Sequence, residues 1–311
     1  MQLIRGLHNL TDSLAGTVLT IGNFDGIHRG HQAILSRLRQ CARDHQLPST
    51  VMFFEPHPEE VFRPEQAPAR LSRCRDKIAY FKNHGIDQVI VVKFNKEFST
   101  MTAEEFLKDV LIGQLGVKYL IVGDDFHFGY KRQGNFEYLS SHQDELGYGL
   151  EQTPTLSDSE QRISSTYVRK ALADNELALA EKLLGRPYSI TGKVFHGDRR
   201  GRTIGFPTAN VLLHRKNAPV KGVYAVEVHL KNQPELKVQY GVANLGRRPT
   251  VGGDRIQLEV HIFDWSEDIY SQTIEVKFIK FIRGEKKFND FAALKRQIDS
   301  DATEARKFFN L

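Results

Sequence analysis

The 311-residue chain carries 43 Lys plus Arg against 38 Asp plus Glu, a net charge of +5, and two cysteines. It is longer than a typical domain of ~100–200 residues, so two domains are expected. No targeting segment and no apolar stretch near the ~20 residues of a bilayer span is visible, and Cys41 and Cys74 lack metal or redox spacing, so a soluble cytoplasmic protein without a membrane partner is expected. The small basic excess suits polyphosphate substrates, while the lack of a long basic run or an RNA-binding signature argues against nucleic acid.

In chain order, the first element is the β-branched apolar stretch Thr17–Ile21, which reads as a buried parallel strand. It runs into Gly22-Asn23-Phe24-Asp25-Gly26-Ile27-His28-Arg29-Gly30-His31, and Ile34, Leu35, Leu38 and Ala42 then recur at helical spacing. The two histidines thus fall at a strand-to-helix junction. Unpaired backbone N–H groups and the positive end of the helix dipole favour an anion there, and Gly26 and Gly30 let a phosphate approach the backbone. A zinc half-site is the rival reading, but no HExxH or CxxC partner accompanies the pair.

Residues 49–54, 88–92 and 119–123 read as further strands separated by amphipathic helical stretches, which predicts a doubly wound parallel sheet. Ligands of such sheets gather at the carboxyl ends of the strands. Glu55-Pro56-His57-Pro58 and Gly123-Asp124-Asp125-Phe126-His127-Phe128-Gly129 should therefore share a rim with the histidine turn. In Arg162-Ile163-Ser164-Ser165-Thr166-Tyr167-Val168-Arg169, one of Ser164, Ser165 and Thr166 should cap a helix over 167–173. A helical run over 176–184 ends at Gly185-Arg186-Pro187, where the domain boundary is placed, giving residues 1–184 and 185–311.

Beyond it the period changes to two. Residues 222–228, 238–243, 256–263 and 273–281 read as antiparallel strands, followed by a closing helix over 289–308, and a small closed barrel solves their edge problem. The alternation in 256–263 puts Glu259 and His261 opposite the apolar face, which alone describes a solvent-facing glutamate.

The motifs GNFDGIHRGHQ, FEPHP, VGDDFHFG, RISSTYVRKAL, GRTIGFPTAN, GVYAV, NLGRRPT and LEVHIFD, in this order, resemble the bifunctional bacterial riboflavin kinase/FAD synthetase family over nearly the whole chain. The resemblance implies that the first half transfers AMP from ATP to FMN, giving FAD and pyrophosphate, and that the second half phosphorylates riboflavin with ATP and Mg²⁺. It implies phosphate contacts from His28 and His31 in the first half, with Gly22, Asn23, Asp25, Gly26, Asp125, Arg162, Ser165, Thr166 and Arg169 binding nucleotide and His57 at flavin or ATP. In the second half it implies phosphate binding by Gly192, Lys193, Gly201, Arg202 and Thr203 on flexible backbone, Mg²⁺ binding by Thr208 and Asn210, and flavin contact by Asn244 and Arg248. Glu259 becomes the base. ATP, riboflavin and FMN are the implied small-molecule partners, and a homo-oligomer is left open.

Overall fold

A computed structural model describes residues 1–10, 16–158, 161–195, 206–213, 217–233, 235–250 and 253–311, without the side chains of 247–250 and 253–255. The chain divides into two compact units, Met1–Pro68 with Ser72–Ser165, and Ala69–Leu71 with Thr166–Leu311. Among the described residues, no helix is long and apolar enough to cross a membrane.

The first unit is built on six parallel strands: β1 (Gln2–Arg5), β2 (Thr17–Ile21), β3 (Ser49–Glu55), β4 (Gln88–Lys93), β5 (Val117–Gly123) and β6 (Gly149–Thr153). Their spatial order is β1-β4-β3-β2-β5-β6. Every residue of β2 is buried, as a central strand covered on both faces requires. Neighbouring residues point to opposite layers, so each strand feeds two cores. Val18, Val51, Phe53 and Val89 pack with Leu35 and Leu38 of α1 (Arg29–His45) and Phe81 of α3 (Cys74–Asn83). On the other face Leu19, Ile21, Met52 and Ile90 pack with Phe106 and Leu107, which continue α4 (Ala103–Glu105) as wider π turns over Phe106–Gln114, and with Leu139 of α5 (Phe136–Leu146). Each such side chain contributes about 1.5–3 kcal/mol on burial.

The sheet therefore has the doubly wound parallel architecture expected. The chain leaves β2 toward β3 on one side, while β5 pairs with β2 on the other, which makes the end of β2 the switch point. Because all six strands are parallel, the turns after β2, β3 and β5 open on one rim. The edge strands β1 and β6 escaped the sequence reading. β1 has a single buried residue in four, and β6 is a short, half-exposed GLEQT.

In the second unit, β9 (Ser189–Phe195), β10 (Ala209–Leu212), β11 (Gly222–Leu230), β12 (Gln239–Thr250), β13 (Gly253–Ile262) and β14 (Thr273–Arg283) close an antiparallel barrel in the order β10-β13-β12-β11-β14-β9. The strands β7 (Ser157–Asp158) and β8 (Gln161–Arg162) form a separate small hairpin in the first unit. Pairing of β9 with β10 completes the barrel closure. Val194, Val211, Tyr224, Leu245, Leu258 and Phe278 are among the core residues. The C-terminal helix, α8 (Phe291–Phe309), covers an outer patch of Val223, Ala225 and Val242 with Ala302 and Ala305, and Asp301 pairs with Arg283 at 2.7 Å.

Gly192 and Lys193 differ from their flexible-loop expectation. Both lie within β9, where a Cβ on Gly192 would come 2.0 Å from Val211 Cγ1. Close strand packing requires glycine there. Two helices, α6 (Ser165–Ala173) and α7 (Leu177–Leu184), have most of their residues in the barrel unit, and α7 packs on β14. Gly185 ends α7 in the left-handed conformation, φ 71°, and its N–H donates to the Glu181 carbonyl.

Candidate active sites

The phosphate turn bridges β2 and α1. His28 is the N-cap of α1, and its Nδ1 accepts the His31 N–H at 3.4 Å. A neutral His28 therefore carries its proton on Nε2. The His28 and His31 rings stack, with centroids 3.7 Å apart and planes 19° from parallel, and Phe24 lies 5.0 Å from His31. A Cβ on Gly30 would stand 3.2 Å from the His28 ring, so the glycine leaves room for this stack. Burial first, then the charges of His28, Lys77 and Arg162, hold His31 well below the usual imidazole range.

The turn is anchored from several directions. Gly22 N–H reaches the Met52 carbonyl at 3.2 Å, and Gln32 Nε2 reaches the Ile27 carbonyl at 2.9 Å. The carboxylate of Asp25, 3% exposed, accepts the Ser72 N–H at 2.8 Å, and the Asp25 backbone carbonyl accepts the Ser165 hydroxyl at 2.8 Å. Ser165 is the first residue of α6, and its hydroxyl proton goes to the histidine turn. Arg162 meets Asp125 at 2.5 Å and Asp124 at 3.7 Å. Both partners of the closer pair are well exposed, so its worth is at most about 1 kcal/mol, weak enough for a polyphosphate to compete for Arg162.

After β3, His57 is the N-cap of α2 (Pro58–Phe62), with its N–H held by Glu60 Oε2 at 3.1 Å. That helix presents Phe62, 61% exposed, whose ring stands 5.5 Å from Phe94. Phe94 in turn contacts Phe54 and Phe98. An exposed aromatic ring backed by edge-to-face aromatic neighbours suits the face of a planar ligand. Sequence reasoning missed this platform because a lone Phe62 on a short helix carries no motif.

In the barrel, strand register supplies the geometry. Asn210 lies opposite Glu259, and Glu259 lies opposite Asn244, so the three occupy one row across β10, β13 and β12. Directly opposed residues share a face. The flanking Leu258 and Val260 are fully buried in the barrel, which turns the row outward. Gln257 Nε2 donates to Asn210 Oδ1. His261 holds the Pro207 carbonyl through Nδ1 at 2.9 Å and contacts Phe206 edge to face at 5.0 Å. Burial chiefly lowers the pKa of His261. The sequence marked His261 only as a companion of Glu259, whereas its contact fixes the residue next to Thr208.

The structure thus brings His28, His31, Gly22, Asn23, Asp25, Gly26 and Ser165 together at one turn, and Asp125 with Arg162 on the same unit's rim. Thr166 and Arg169 belong to the barrel unit, where Arg169 Nε donates to the Ala69 carbonyl at 2.7 Å. Asn210, Glu259 and Asn244 form the second cluster, with Thr208 two residues before Asn210. Gly201, Arg202 and Thr203 lie outside the described residues, as does the side chain of Arg248.

Comparison with known proteins finds two families matched in succession along the chain. Residues 10–167 match the FAD synthetase family and residues 184–309 the riboflavin kinase family. A bifunctional riboflavin kinase/FMN adenylyltransferase of Haemophilus influenzae is 52% identical over 310 residues, covering 100% of both chains. The Escherichia coli K12 protein of the same description is 52% identical over 312 residues, covering 100% of this chain and 99% of its own. A solved structure described as a macrolide-efflux protein from Streptococcus pneumoniae superposes with a TM-score of 0.81 at 30% identity, covering 98% of this chain and 99% of that one.

Proposed function

The chain belongs to the bifunctional riboflavin kinase/FMN adenylyltransferase family, phosphorylating riboflavin to FMN and adenylylating FMN to FAD, and on that premise we propose how its residues divide the work. The observation that carries the reading is the pair of clusters, one imidazole stack at a helix N-terminus and one row of Asn210, Glu259 and Asn244. The efflux description of the streptococcal protein speaks of that protein and adds no second reading here.

In adenylyl transfer an FMN phosphate oxygen attacks the α-phosphorus of ATP, and the bond to pyrophosphate breaks. His28 Nε2–H, His31 and the N-terminal amides of α1 stabilise charge on the phosphates. Arg162 leaves Asp125 for phosphate, which frees Asp125 to accept from ribose hydroxyls. Phe62 and Phe94 support the flavin ring beside His57, an arrangement that their exposure and mutual contact favour.

In the kinase step the riboflavin 5′-hydroxyl oxygen attacks the γ-phosphorus and ADP leaves. Glu259 orients that hydroxyl and takes its proton. Thr208 Oγ1 and Asn210 Oδ1 are oxygen donors of the type Mg²⁺ accepts, Asn210 standing opposite Glu259 in the strand register, and would hold the metal that arrives with ATP. The bound ion supplies charge neutralisation along the phosphates. Asn244 and Arg248 contact flavin, with Gly201, Arg202 and Thr203 near the phosphates. The free thiols of Cys41 and Cys74 favour a cytoplasmic setting.

The functional boundary is placed at Leu184 and Gly185. A piece covering 1–184 is expected to adenylylate supplied FMN, and a piece covering 185–311 to phosphorylate riboflavin. Because α7 packs on β14, a piece covering 166–311 should resist urea better than 185–311. Riboflavin phosphorylation and urea midpoints of the two C-terminal pieces check this. Equal midpoints would show that α7 contributes nothing to the barrel, and an inactive but folded 1–184 would place the functional boundary elsewhere.

A further inference from the structure

Lysine is rarely buried, yet Lys77 of α3 is only 3% exposed. Its Nζ donates to the Asn23 carbonyl at 3.0 Å and lies 4.2 Å from the centroid of the Phe53 ring. That carbonyl opens the turn in which Phe24 and Ile27 adopt φ of 48° and 43°. A left-handed backbone is costly for both residue types and persists only where the surroundings fix it. The groups facing His31 are His28 from the start of α1, Lys77 from α3 and Arg162 from β8, each a cation or able to become one. The turn's carboxylate, Asp25, takes the Ser72 amide. His31 Nδ1 is buried with no hydrogen-bond partner among the described residues. A second proton on that ring would bring an N–H to an atom, or leave one on it, with no acceptor at hand.

We propose that Lys77 is a positioning residue of adenylyl transfer, a buried ammonium group that locks the backbone of the phosphate turn beside His31. The proposal rests on the reading of His28 and His31 as the phosphate site. In the free protein, burial and the surrounding positive charge keep His31 neutral as the pH falls through the usual imidazole range. Polyphosphate reverses the local field, and His31 then takes a proton from solvent. The imidazolium that meets the transition state is thereby made by the arrival of nucleotide. Lys77 couples the shape of the turn to this charge through one ammonium group.

The test follows the histidine ring signals of the full-length protein by NMR against pH, with His31 assigned by its loss in His31→Gln. The parent should titrate His31 well below 6.5, and a non-reacting ATP analogue should raise the midpoint. Lys77→Met, which keeps the length and removes the charge, should raise the free-state midpoint. It should also slow FMN adenylylation by about tenfold, short of the ~10²-fold that a 1 Å misplacement of reacting groups can cost, while riboflavin phosphorylation stays at the parental rate. Lys77→Arg keeps the charge and should leave the His31 midpoint near that of the parent. An ordinary His31 midpoint in the parent overturns the proposal without needing any variant. So does an unmoved midpoint in a Lys77→Met protein that still phosphorylates riboflavin. Normal adenylylation by a variant lacking both histidines would instead remove the underlying reading of the turn, an outcome separate from these titrations.

Discussion

Replacing His28 and His31 together by alanine is expected to suppress FAD formation from supplied FMN by about 10³-fold or more, because each preorganised donor to a developing oxyanion is typically worth 10²–10³. The two rings act as one stack at the N-terminus of α1, so their effects should not simply add. A single His31→Ala change also removes the ring against which His28 and Phe24 are packed, and part of its effect would be loss of His28 orientation. Riboflavin phosphorylation by the same sample serves as the control, since Glu259 and Asn210 lie on the barrel. FMN consumption and FAD formation, followed with FMN as the starting substrate, give the answer. Parental FAD synthesis by the double variant would contradict the assignment of the turn.

Glu259→Gln should slow FMN formation by about 10²–10⁴-fold, the range expected for loss of a positioned general base. Glutamine keeps the length and much of the hydrogen-bonding reach of the side chain. It leaves the register with Asn210 and Asn244 unchanged, so riboflavin binding should weaken much less than turnover. Given FMN directly, the variant should make FAD at the parental rate. Separate steady-state assays of the two steps check both statements. Near-normal phosphorylation would return Glu259 to an ordinary outward strand residue, whereas equal loss of both activities would indicate misfolding.

The parts of the fold that were legible in the sequence are those whose burial imposes a pattern. The fully buried TVLTI of β2 reads as a central parallel strand, and the alternating burial from Ile256 to Ile262 reads as one wall of a barrel. Elements with little to bury were silent. β1 and β6 sit at sheet edges, whereas β10 is mostly buried but, at four residues directly after Pro207-Thr208, is too short to show a period. The row of Asn210, Glu259 and Asn244 depends on strand register, which no local pattern specifies even when each strand is recognised.

The histidine turn was legible because HxGH places its chemistry within four residues. Its supports were not. Ser165 is 140 positions from the Asp25 carbonyl it holds, and Lys77 is 54 positions from the Asn23 carbonyl. A lysine on an amphipathic helix ordinarily reads as a solvated charge, and only the tertiary fold reveals that this one is buried over Phe53. Gly192 shows the converse case. A glycine next to lysine reads as a phosphate loop, but the backbone there is a strand pressed onto Val211.

Incubating the full-length protein with riboflavin, ATP and Mg²⁺ and resolving the flavins by chromatography over time reads both reactions in one experiment. Riboflavin should decline as FMN appears and then gives way to FAD, with pyrophosphate released in step with FAD. Absence of both FMN and FAD in a sample whose fold is intact would contradict the central claim.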